Sequence, residues 1–159
     1  MPARDEILQA NADYAARFAA QGLAAAPSRR LAVVTCMDAR LDPAGFLGLA
    51  PGDAHVVRNA GGLVTDDALR SLAVSHWLLG TEQALVIGHT DCGMLSFAND
   101  DLRGRIGPPA DGMDFLPFGD LEESVRAAVR RIAESPLLPT SFAAAGFVYD
   151  VQTGALRAV

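Results

Sequence analysis

Along the chain, short unbroken apolar runs alternate with longer segments whose apolar residues recur at helical spacing. LAVVTC at 31–36, AHVVRN at 54–59 and ALVIGH at 84–89 have strand length and little alternation, the pattern of parallel strands covered on both faces. Between the last two, Thr65 caps a predicted helix with Asp66 and Asp67 in its first turn, Leu69, Leu72, Ala73, His76 and Leu79 on one side, and Gly80 as its stop. Asp120 with Glu123 starts a further helix that runs to Ser135, after a Pro/Gly/Asp-rich stretch at 104–119 that reads as loop. Near the N-terminus, Ile7, Leu8, Tyr14, Phe18 and Leu23 share a stripe over 5–23, which predicts an amphipathic helix within residues 1–25, ending before Pro27 and Ser28. The last fifteen residues, AGFVYDVQTGALRAV, read as a strand, a turn at Thr153-Gly154 and a short final strand. These elements predict one α/β domain over 1–159, with a mainly parallel central sheet flanked by helices and a short antiparallel edge strand at the C-terminus.

Composition narrows the function classes. The chain has 159 residues, half of them apolar, which suits one domain with a buried core. All 13 basic residues are arginine, against 19 acidic ones, for a net charge of −6. With no basic stretch to track a phosphate backbone, nucleic acid is not an expected partner. No apolar run approaches the ~20 residues of a membrane span, and MPARDEILQ lacks the basic-then-apolar start of a signal peptide, so a cytoplasmic protein without membrane contact is expected. Two cysteines, Cys36 and Cys92, are too few for a disulfide scaffold and point instead to metal binding or catalysis.

In open α/β sheets, ligands collect outside the carboxyl ends of the strands. The chemistry-bearing residues fall there: Cys36-Met37-Asp38-Ala39-Arg40 after the first strand, Arg58-Asn59-Ala60-Gly61-Gly62 after the second, and His89-Thr90-Asp91-Cys92-Gly93 after the third. Cys36, His89 and Cys92 offer two thiolates and one imidazole, a three-ligand set that suits Zn²⁺ and leaves a fourth tetrahedral position open.

The motifs CMDAR at 36–40, RNAGG at 58–62 and HTDCGM at 89–94, in that order, resemble the three signatures of the β-class carbonic anhydrases, and the compact middle segment resembles the family's small microbial branch. The resemblance implies a zinc lyase that interconverts carbon dioxide and bicarbonate, with Cys36, His89 and Cys92 on Zn²⁺ and Asp38 with Arg40 as a catalytic dyad. It also implies a parallel sheet with an added edge strand, and a homodimer in which the N-terminal helix embraces the partner. Two thiolates neutralise the charge of Zn²⁺, so activity is expected to favour the alkaline side. Asp38 either accepts a hydrogen bond from the nucleophile while Arg40 holds it, or swings onto zinc as a fourth ligand; both forms stay open at this point. Gly61 and Gly62 permit close backbone approach and are candidates to present amides to the substrate, or are ordinary turn glycines.

Other residues carry blander readings. Arg58 braces the sheet end or a dimer, with a direct catalytic role as the alternative; His55 and His76 are structural histidines, with proton shuttling as the alternative; Asp91 either orients a ligand or sits in solvent; Phe46, Trp77, Met94 and Phe97 are core or interface packing, or in part the apolar wall of a substrate pocket. Two other functions remain in view. A related small heterocumulene, carbon disulfide or carbonyl sulfide, would use the same zinc site, whereas a structural zinc fold or thiol redox sensor would leave the Asp38–Arg40 pair without a task.

Overall fold

Strand β1 (Leu31–Cys36) is buried at all six positions, so it must lie inside a sheet covered on both faces. The computed structural model describes residues 2–159. In it β1 is flanked by β2 (Ala54–Asn59) and β3 (Gln83–His89), followed outward by β4 (Ala143–Tyr149) and β5 (Leu156–Ala158). The order is β2-β1-β3-β4-β5, parallel throughout except for the antiparallel β4–β5 pair. The fold class read from the sequence is the one observed.

Alternate residues of β1 feed two cores. Ala32 and Val34 pack with Val86, Val148 and the apolar faces of helices α3 (Asp66–Leu79) and α5 (Leu121–Ala133), represented by Leu69, Leu72, Val125 and Ile132. Leu31 and Val33 face the other way, against Ile87, Phe46 and Leu47 of the short helix α2 (Pro43–Leu47), and Phe147 and Tyr149 of β4. The caps operate as read: the Thr65 side chain accepts from the Ala68 amide, Asp120 from the Glu123 amide, and Gly80 closes α3 at φ +73°.

Three segments differ from the sequence reading. The N-terminal helix, α1 (Pro2–Ala15), stops eight residues short of the expected end at 23. The amides of Arg17 and Phe18 tighten onto carbonyls three residues back, and Gly22 at φ +78° then turns the chain. The stretch at 104–119 is not all loop: α4 (Asn99–Ile106) runs into its start and a 3₁₀ turn at Pro108–Ala110 follows. Helix α4 buries none of its residues, so it has no apolar stripe to betray it. Helix α2 was likewise not anticipated, although Pro43 at its start and Gly48 in the left-handed region at its end mark it.

Close seating of α5 depends on two glycines. A Cβ at Gly146 of β4 would stand 2.7 Å from Val125 Cγ1, and one at Gly88 of β3 would stand 2.8 Å from Val125 Cγ2. The helix therefore lowers Val125, itself a stiff β-branched residue, into a notch shared by adjacent strands. Replacing Gly146 with Ala is expected to lift α5 and destabilise the fold by about 1–3 kcal/mol, read as a lowered urea midpoint with unchanged slope.

Candidate metal centre

Parallel pairing of β1 with β3 brings Cys36 and His89 to one sheet edge. The register aligns Thr35 with Ile87, and the buried Thr35 hydroxyl donates to the Ile87 carbonyl at 2.9 Å, tying the two strands just before they release their ligands. Past His89 the chain turns through Thr90 and Asp91 and returns with Cys92. The Cys36 and Cys92 thiols and a His89 ring nitrogen then lie within 4.8 Å of one another, all on buried residues.

Histidine protonation follows from the geometry. His89 Nδ1 lies 2.9 Å from the Thr90 carbonyl oxygen, which can only accept, so Nδ1 carries the proton and Nε2 presents a lone pair. That Nε2 is fully buried and is the buried side-chain nitrogen or oxygen without a hydrogen-bond partner among the described residues. An orphaned buried acceptor aimed at two thiols is costly unless a cation takes the lone pair. The thiols point the same way: burial first, and then the neighbouring Cys36, push the Cys92 thiol up to about 11. Two sulfurs and one nitrogen in a closed apolar setting fit Zn²⁺ and do not suit Mg²⁺ or Ca²⁺.

Around this set stand two arginines with different tasks. Arg40 donates from Nε and its backbone amide to Asp38 Oδ1, each at 2.9 Å, and from Nη2 to Asp38 Oδ2 at 2.8 Å. Both carboxylate oxygens are therefore taken by Arg40. The Arg40 side chain and amide hold the Asp38 carboxyl far below the usual carboxylate range. Asp38 Oδ2 remains 3.8 Å from His89 Nε2, beyond hydrogen-bond reach. Arg58 works on the backbone instead, donating from Nε to the Cys36 carbonyl at 2.9 Å and from Nη2 to the Asp38 carbonyl at 2.7 Å. Its fork clamps the loop that carries both a thiol and the dyad.

The glycine turn supports the same loop. Asn59 spans it, donating from Nδ2 to the Leu63 carbonyl and accepting the Leu63 amide at Oδ1, both at 2.7 Å. A Cβ on Gly62, which sits at φ +65°, would stand 2.9 Å from the Cys36 nitrogen, so this position excludes other residues on two counts. Gly61 packs beneath Phe118 and Met94. Sequence reasoning passed over the Asn59 side chain and the Thr90 carbonyl. Asparagine before Gly-Gly is a readable turn signal, whereas an orienting backbone carbonyl has none.

Apolar walls complete the surroundings: Leu41, Phe46, Met94, Phe97, Phe118 and Tyr149 pack with the two cysteines, and Phe46 stacks on Tyr149 at 4.4 Å. His55 and His76 lie elsewhere, bonded to Ser75 Oγ and the Thr81 carbonyl, and Trp77 is exposed with its indole donating to the Leu137 carbonyl. A cavity of about 550 Å³ between the start of α3, the 114–120 loop and α5 holds none of the three ligand residues; Phe118 forms the wall between it and the metal set.

A mainly parallel sheet with two thiols, an imidazole and a carboxylate–arginine pair at the carboxyl ends of its strands defines an α/β protein with a candidate metal centre. The carbonic anhydrase family model matches residues 31–109. The chain is 44% identical to β-carbonic anhydrase 1 of Mycobacterium tuberculosis, over all of this chain and 99% of that protein. The solved carbonic anhydrase of Streptococcus mutans superposes with a TM-score of 0.94 at 45% identity, covering 100% of this chain and 98% of that one. A carbon disulfide hydrolase of Acidianus is 36% identical over 82% of this chain and 77% of that protein. The chain belongs to the β-carbonic anhydrase family.

Because Cys92 holds its proton at neutral pH without a cation, zinc must displace that proton to bind. Affinity is therefore expected to rise with pH across about 6 to 8, with proton release visible by calorimetry in buffers of different ionisation enthalpy. Cys92→Ser should abolish tight one-to-one binding.

Proposed function

We propose that the protein catalyses the reversible hydration of carbon dioxide to bicarbonate and a proton, with Zn²⁺ held by Cys36, His89 and Cys92. The observation that carries this reading is the buried, partnerless Nε2 of His89 facing two thiols beside a carboxylate already captured by Arg40. Zn²⁺ in a three-ligand site supplies Lewis acidity and a nucleophile derived from water near neutral pH.

The chain's own residues supply the rest. Asp38, ionised and oriented on both oxygens by Arg40, accepts a hydrogen bond from the attacking water and aims its lone pair at the carbon of carbon dioxide. Arg40 keeps that carboxylate from collapsing onto the ligand set, and its guanidinium charge favours the developing anion. Arg58 fixes the Cys36 and Asp38 backbone, so the thiol and the carboxylate keep one relative position. Gly61 and Gly62 bring bare backbone beside the reacting centre, and their amides belong to the substrate's surroundings in this proposal. Phe97, Phe118 and Met94 give the apolar lining that an uncharged, linear substrate prefers.

Two features support the choice among substrates and assemblies. The likeness to carbonic anhydrases runs the whole chain at 44% identity, whereas carbon disulfide hydrolases reach 36% over 82% of the chain and 34% over 96% of it, so identity rather than coverage favours carbon dioxide. Residues 3–19 are exposed without exception, among them Ile7, Leu8, Tyr14 and Phe18 of α1 and the turn after it, and α3 exposes Val74, Trp77 and Leu78. Apolar side chains on an arm that buries nothing in its own chain support a homodimer in which α1 packs on the partner. A cytoplasmic setting is part of the same reading, because thiols that serve a metal are kept reduced in that compartment. Among the described residues no helix is long and apolar enough to cross a membrane.

Stopped-flow hydration assays with zinc quantification test the reading. Wild type should hydrate carbon dioxide with a rate that rises through neutral into alkaline pH, and a profile already flat below neutral would contradict it. Asp38→Ala should keep one zinc per chain and lose about 10²-fold or more in kcat. An Asp38→Ala protein with full zinc and a wild-type rate would refute the dyad, and carbon disulfide turnover exceeding hydration would move the assignment to the other substrate.

A further inference from the structure

Asp91 stands between His89 and Cys92, with its side chain mostly exposed, and nothing in the reaction just described uses it. Two observations mark it. Its backbone adopts φ +54°, the left-handed region that non-glycine residues seldom enter. In that conformation its carbonyl oxygen accepts from Arg40 Nη2 at 2.9 Å while its carboxylate Oδ2 accepts from Arg40 Nη1 at 2.7 Å. The residue thus turns its carbonyl and its carboxylate onto one guanidinium.

The donor inventory of Arg40 shows what this achieves. A guanidinium has five N–H donors in a rigid plane. Nε and one Nη2 donor go to Asp38; the other Nη2 donor and one from Nη1 go to Asp91. Four of the five point at two acids on opposite sides, so the plane is fixed from both. With Asp38 alone, a side chain that is 44% exposed would be held by one partner and would retain much of its rotamer freedom. Asp91 adds the second support from the ligand loop itself, so Arg40, Asp38 and the His89–Cys92 turn keep a common frame.

We propose that Asp91 is a positioning residue for the hydration reaction: it anchors Arg40 so that Asp38 stays turned to the arginine rather than to the Cys36–His89–Cys92 set. This rests on the dyad reading above. It specifies a geometry for the arginine that the dyad alone does not provide, and it assigns the left-handed backbone of Asp91 a purpose.

The test uses single variants of Asp91, Arg40 and Asp38 and their combinations. Asp91→Gly accepts the positive φ and keeps the carbonyl contact but removes the carboxylate; Asp91→Asn tolerates the same backbone and restores a side-chain oxygen; Arg40→Ala, alone and combined with Asp91→Gly, closes a double-mutant cycle. Asp91→Gly should keep one metal per chain and lose about tenfold in kcat with KM little changed, and Asp91→Asn should recover most of that loss. In the Arg40→Ala background, Asp91→Gly should have no further effect. Cobalt-substituted protein supplies a readout independent of turnover, because entry of a carboxylate into the ligand set changes the visible spectrum. That change is expected in Asp91→Gly, and its absence is expected in the Asp91→Gly variant that also carries Asp38→Ala. Wild-type kcat and spectrum in Asp91→Gly would overturn the proposal, as would metal loss in that variant or an undiminished effect without Arg40. An Asp38→Ala protein of wild-type rate would instead sink the dyad reading, so the two failures are distinct.

Discussion

Everything at the reactive edge depends on the parallel pairing of β1 with β3. Parallel strands end at the same edge, and the register that sets Thr35 beside Ile87 delivers Cys36 and His89 to neighbouring positions there. The pairing is held where water is excluded: Thr35, Ile87 and His89 are fully buried, and the Thr35 hydroxyl adds a cross-strand bond to the ladder at its last step. A slip of one residue would send the imidazole to the opposite face, since side chains alternate along a strand. Two separate cores, one under α3 and α5 and one under α2, resist that slip because each takes every second residue of β1.

The site then has an electrostatic problem that its surroundings answer in layers. A buried ring nitrogen without a hydrogen-bond partner faces two buried thiols, and this is the condition under which a cation is bound rather than tolerated. Outside that shell the charges alternate: Asp38, then Arg40, then Asp91 at the solvent rim. Arg58 contributes through carbonyls, not through a carboxylate, so it stiffens the Cys36–Asp38 loop without adding a competing anion beside the ligands. Backbone rigidity from Arg58 and Asn59, and side-chain orientation from Arg40, address two different degrees of freedom of one short loop.

How far the sequence could be read depended on whether the signal was apolar burial or local chemistry. β1 and β3 were legible as buried runs, α3 and α5 from their caps and stripes, and the final hairpin from Thr153-Gly154; β2 was legible as a strand, yet it is not covered on both faces as read, since it lies at the sheet edge with none of its residues buried. Helix α4 was not, because a helix that buries nothing leaves no periodicity. The apolar stripe near the N-terminus overran the helix for the opposite reason: Phe18 and Leu23 are exposed beyond its end, so their spacing no longer reflects a helical face packed on this chain. At the site, Cys36, His89 and Cys92 were visible as strand-end residues, and Asp38 with Arg40 by adjacency. Arg58 was only half legible, because its partners are carbonyl oxygens, which every residue has.

By itself the sequence determined which atoms are present and at which strand ends they fall, because apolar runs of strand length and the polar residues that terminate them are local facts. That was enough for the fold class, the candidate ligand set and the family resemblance. The tertiary structure alone decided the protonation of His89, set by the Thr90 carbonyl; the capture of both Asp38 oxygens by Arg40; and the recruitment of Asp91 to that arginine from 51 residues away. The physical reason is that donors and acceptors are assigned by direction and distance across strands, and neither quantity is encoded at any one position of the chain.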